Sequence, residues 1–153
     1  MNYSKSLLLF QDKPEYGFIL RLIFAIFPAA LLTGSVYLLS SGEDTGAIVL
    51  LAEACLISLI FWFVLPRSYR VYEDHLCIVL GGPFSVKIRF VDIRLVEVTS
   101  RLNLNVNFVT KFTGRYVAIH KRTGFTIAIT PKDGDLFVEH TNEALDQWNK
   151  IGK

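Results

Sequence analysis

The chain has 153 residues, of which 52% are hydrophobic and 20% charged, and its formal net charge is +2. That length bounds it to one ordinary domain or a small domain with an attachment. A mean hydropathy of +0.40 excludes a disordered chain, and the near balance of charge excludes the usual strongly basic nucleic-acid binder.

Residues 1–16 read as an N-terminal segment ahead of two apolar stretches that fill 17–65. From Leu22 to Leu39 there is no charge, and from Gly46 to Leu65 there is one, Glu53. At 1.5 Å per residue each stretch reaches about 27–30 Å, the thickness of a hydrocarbon core. Only the residues from Arg67 to Lys153 follow, too few to wrap two helices that are apolar all round. The pattern predicts a transmembrane hairpin. Its first helix is too long for the apolar region of a signal peptide and lacks a small-residue cleavage site after Leu39.

The connector Ser40 to Thr45 is short and carries Glu43 and Asp44, whereas Lys5, Lys13 and Arg21 precede the hairpin and Arg67 and Arg70 follow it. By the positive-inside rule both termini are cytoplasmic, which implies a multi-pass protein of the cytoplasmic (inner) membrane. Arg67 and Arg70 are expected at headgroup level. Ala25, Ala29 and Thr33, like Ala30 and Gly34, recur every four residues and suit close helix packing, with Ala47, Ala54 and Ser58 opposite. Pro28 is expected to kink the first helix.

Glu53 is the one carboxyl group inside a span, where an ionised side chain is costly. Counting from the hairpin tip places Thr33, Gly34 and Ser35 at its depth. Three roles are open to it: a hydrogen bond inside the hairpin, contact with another membrane subunit, or part of a proton or ion pathway.

From residue 66 the pattern turns to strands. Tyr69 to Tyr72 and Leu76 to Leu80 flank Glu73-Asp74, and Gly81-Gly82-Pro83 is a strong turn signal. Val86, Ile88 and Phe90 alternate with polar residues, Leu95 to Thr99 forms a further run, and Leu102, Leu104, Val106 and Phe108 alternate with Arg101, Asn103, Asn105 and Asn107. Tyr116 to His120 and Phe125 to Thr130 flank a Gly-containing loop. Thr130 as N-cap, Pro131 at the first position and Asp133 then open a helix whose Leu136, Phe137, His140, Ala144, Leu145 and Trp148 share one face. The order predicts a mainly β barrel or sandwich over 66–153, capped by a C-terminal helix.

With the two-helix hairpin, Pro66-Arg67-Ser68-Tyr69, Tyr72-Glu73-Asp74-His75-Leu76, Gly81-Gly82-Pro83-Phe84 and Ile129-Thr130-Pro131-Lys132-Asp133 in this order, the sequence resembles the bacterial pleckstrin-homology-like membrane proteins. The resemblance implies a partly open seven-stranded barrel closed by the terminal helix, and it brings no catalytic residues. Its phosphoinositide-binding relatives carry basic residues in the first hairpin, where this chain has Glu73 and Asp74.

Candidate chemistry is sparse. His75, His120 and His140 are scattered, Cys55 and Cys77 have no paired spacing, and no phosphate loop or nucleophile motif is present. Catalytic residues, metal and cofactor are therefore not expected. The partners expected are the lipid bilayer and a protein, either another subunit or a second copy. The Asn103, Asn105 and Asn107 strand face is a candidate contact surface, although an ordinary exposed polar strand is the better reading of it. Two functions remain: a non-enzymatic membrane-anchored scaffold, or an accessory subunit of a transport or enzyme complex docked through the hairpin. In a background lacking Cys55 and Cys77, Ser41→Cys is expected to react with an impermeant thiol reagent on intact cells and Thr123→Cys to stay unlabelled. The reverse pattern would invert the topology.

Overall fold

A computed structural model describes residues 6–100, 106–111 and 114–151. Two long helices, α1 (Phe18–Ser40) and α2 (Asp44–Val64), form the antiparallel hairpin, and α1 runs unbroken through Pro28. Both are long and apolar enough to cross a membrane. In α1 only Ser35 is buried, and in α2 only Ala47 and Ala54, so most of the apolar surface of both helices faces outward.

The strands make two sheets. In the first, β1 (Leu8–Asp12), β2 (Ser68–Tyr72), β3 (His75–Val79) and β4 (Ser85–Arg89) lie side by side in that order, each antiparallel to the next. In the second the order is β5 (Ile93–Thr99), β7 (Tyr116–Lys121), β8 (Ile127–Ile129), β6 (Val106–Phe108), with β6 parallel to β8. A single 3-10 turn over Phe90–Asp92 carries the chain from one sheet to the other. Period-two alternation delivers Tyr69, Val71, Leu76, Ile78 and Ile88 from the first sheet to a shared core, where they meet Val96, Val117, Ile119 and Ile129 from the second. Helix α3 (Gly134–Ile151) lies against β5, β1, β2 and β7.

The expected plan of a helical hairpin, a β domain and a terminal helix is present, with changes in its parts. Residues 8–12 are a strand of the first sheet, so the hairpin lies inside the connection between two neighbouring strands instead of ahead of the domain. Of the strand expected over 101–108, Val106 to Phe108 is observed, and residues 101–105 lie outside the described residues.

Thr130 does not cap α3. Its hydroxyl is buried, accepts from the Thr110 amide at 3.0 Å and lies 2.9 Å from the Thr110 hydroxyl. The helix starts later, where Asp133 Oδ1 accepts from the Leu136 amide at 3.1 Å. Phe137, 1% exposed, is the helix's main anchor. Trp148 is only half-buried and meets the Phe90 ring edge-on at 6.4 Å. His140 packs its ring against Phe10 at 4.4 Å. Phe137→Ala is expected to cost about 3–5 kcal/mol and Trp148→Ala clearly less. Chemical unfolding of the purified chain followed by circular dichroism compares the two.

Candidate membrane-interface and assembly site

Two feet join the hairpin to the sheets. The first, residues 13–17, is clasped by backbone bonds: Glu15 N–H donates to Thr130 O at 2.9 Å, Gly17 N–H to Thr110 O at 2.8 Å, and Lys132 N–H to Lys13 O at 2.9 Å. The Thr110 hydroxyl donates to Glu15 O at 2.7 Å, and Lys111 Nζ pairs with Glu15 Oε1 at 2.6 Å. In the second foot, Arg67 N–H donates to Val79 O at 2.6 Å. The Tyr16 hydroxyl donates to Pro66 O and so ties the two feet together. Burial raises the Tyr16 phenol above its ordinary value near 10, and the Arg67 cation acts in the opposite direction.

The β3–β4 turn presses against the end of α2. A Cβ at Gly81 would run into the Trp62 carbonyl oxygen, and Gly82 has φ +66°, a left-handed conformation that favours glycine. The Phe84 and Phe63 rings meet edge-on at 5.5 Å. Arg67 lays its guanidinium 3.8 Å from the centre of the Trp62 ring. Lys13, Pro14, Tyr16, Leu65 and Arg67 line one cavity of about 400 Å³ at the feet. Arg70 lies three residues further along β2, about 10 Å from Arg67. It is half-buried, with Nε enclosed and without a hydrogen-bond partner among the described residues. It therefore does not share the foot with Arg67.

Inside the hairpin the expected polar set is not brought together. The Ser35 hydroxyl donates across the seam to Ala47 O at 2.9 Å, and a Cβ on Gly34 would come within 3.1 Å of Leu50 Cδ1. Thr33 is exposed and bonds back to Ala29 O of its own helix at 2.8 Å. These contacts place Glu53 level with Ala29 to Leu31, deeper than Thr33, Gly34 and Ser35. The reason is that α2 begins at Asp44, two residues before the apolar stretch. Glu53 is exposed near the midpoint of α2 and makes no hydrogen bond or ion pair with any described residue. Of the three roles open to it, the hydrogen bond inside the hairpin is absent among the described residues. The Ala25, Ala29 and Thr33 face is likewise exposed, whereas Phe24, Pro28, Leu31, Gly34, Ser35 and Leu38 turn towards α2.

In the β domain, Asn107 is exposed on β6, opposite Ala128, and Asn103 and Asn105 lie outside the described residues. His75 stacks on Tyr72 at 4.6 Å, and His120 bridges Glu97 at 3.0 Å and Thr126 at 3.2 Å. No group of three or more His, Cys, Asp or Glu among the described residues could hold a metal ion.

Comparison with protein families, curated proteins and solved structures finds no match to this chain.

Pro14 and Tyr16 were not singled out from the sequence, and Lys13 was counted only for its charge, because the N-terminal segment read as separate from the domain; Leu65 was read only as the end of the second apolar stretch. The apolar run Leu7-Leu8-Leu9-Phe10, followed by Pro14, was the available signal for a strand there. Gly81→Ala is expected to push the β3–β4 turn off α2, at a cost of about 1–3 kcal/mol. The check is a lower melting temperature in detergent together with faster tryptic cleavage after Arg67.

Proposed function

We propose that this chain is a non-enzymatic interaction module of the cytoplasmic membrane, anchored by the hairpin with both termini in the cytoplasm. Its β domain serves as a scaffold on the membrane surface. Two sheets closed by α3 support a pleckstrin-homology-like reading of that domain, with the membrane hairpin placed between its first two strands.

The observation that carries the proposal is Glu53. A charged side chain at the centre of a membrane helix costs about 2.5–3.5 kcal/mol on insertion scales, and such residues normally face protein or water. Glu53 lies outside the seam between α1 and α2, beside exposed Val49, Leu56 and Ile60. A second membrane-embedded protein surface would supply the partner that the hairpin lacks. On the β domain, the β1 edge with exposed Leu7, Leu8 and Leu9 supports a further contact by strand addition.

A second reading, an accessory subunit of a transport or enzyme complex, is favoured by the same residue, since Glu53 directs assembly through the hairpin. Glu53→Gln is expected to keep assembly, because the amide can still hydrogen-bond, and Glu53→Leu to lose most cross-linked product. Cross-linking in native membranes, followed by mild-detergent co-purification, separates self-assembly from docking onto a larger complex. If both variants match the parent chain, Glu53 has no part in assembly and the proposal falls.

A further inference from the structure

We infer that the cavity between the two feet of the hairpin holds the phosphate headgroup of an anionic phospholipid. Lys13 and Arg67 would be its cationic walls, and Pro14, Tyr16 and Leu65 its less polar floor. The inference rests on the membrane reading of the hairpin and adds a ligand to it.

The cavity, about 400 Å³, is bounded only by residues that join spans to strands. Tyr16 lies two residues before α1, and Leu65 is the C-cap of α2. Its level along the molecule is therefore that of the bilayer headgroups. Its two cations come from opposite feet, brought together by the β1–β2 pairing and by the Tyr16 to Pro66 bond. Neither has a carboxylate partner among the described residues. Lys111, Arg115 and Arg89 are by contrast paired, with Glu15, Asp135 and Asp92 respectively. The Trp62 ring, 3.8 Å from the Arg67 guanidinium carbon, restrains that group, and its N–H groups point outward in the guanidinium's own plane, the geometry that suits phosphate oxygens. Phe18, Ile19 and Trp62 are exposed on the adjoining helix turns and offer apolar surface to the acyl chains of the same lipid. That neighbourhood favours a lipid over free phosphate as the source of the anion.

The test uses the full chain in proteoliposomes, with Trp148→Phe leaving Trp62 as the only tryptophan. Quenching by brominated phosphatidylglycerol is compared with quenching by brominated phosphatidylcholine. The anionic lipid is expected to be preferred, with about fivefold of that preference lost in Lys13→Gln and retained in Lys13→Arg. Lys87→Gln, on exposed β4 and outside the cavity, is expected to change nothing. Equal quenching by both lipids, or an equal loss in Lys87→Gln and Lys13→Gln, overturns the site in favour of diffuse surface charge. Abolition of the preference by millimolar inorganic phosphate overturns the lipid as its occupant. If neither lipid quenches Trp62, the membrane reading itself has failed.

Discussion

The antiparallel pairing of Leu8–Asp12 with Ser68–Tyr72 is the constraint on which the rest of the structure depends. These strands are neighbours in space but separated in sequence by the whole hairpin. Closing so long a connection costs loop entropy, which grows only slowly with length. The hairpin's own helix pairing offsets part of that cost by bringing its two ends together. Backbone bonds across β1 and β2 then hold both feet at one sheet edge, and the hairpin and the β domain are joined twice. A single flexible tether would leave the domain free to reorient relative to the helices.

Around this junction the polar groups of the backbone are satisfied by elements distant in sequence. Residues 13–17 donate to and accept from Thr110, Thr130 and Lys132, and the buried Thr110–Thr130 hydroxyl pair locks the ends of β6 and β8 to that foot. An unpaired buried peptide group is costly, so the clasp disfavours partial detachment. The glycine turn adds a steric contact on the other foot, where only a residue without Cβ lets the β3–β4 turn approach the Trp62 carbonyl.

The hairpin obeys a different balance. In a bilayer, where lipid is as apolar as leucine, burial of apolar side chains between α1 and α2 would bring little, and close packing and hydrogen bonds would decide the seam. Ser35 donating to Ala47 O, and Gly34 facing Leu50, bring the backbones together near the hairpin tip. Further along, the Phe24 and Phe61 rings meet at 4.7 Å. Glu53 remains outside this seam, in a position that the two-helix unit leaves unpartnered.

Length, hydropathy and periodicity were enough to read two membrane-length helices, a mainly β domain and an amphipathic terminal helix, because each depends on a local period or a local composition. Turn chemistry at Gly81-Gly82-Pro83 and the alternation of β4 were legible for the same reason. The role of Leu8–Asp12 was not, since a strand becomes one only when its partner is supplied, and that partner lies beyond the hairpin. Thr130 carried the composition of a helix cap, yet its position beside Thr110 turned its hydroxyl into a buried clasp. The small-residue faces of α1 were equivalent in sequence, and contact with α2 chose Gly34 and Ser35 over Ala25, Ala29 and Thr33. The presence of a carboxyl group within the second apolar stretch was written in the sequence. That Glu53 faces away from its own hairpin was decided by helix register, because rotation about a helix axis is set by the neighbour it packs against.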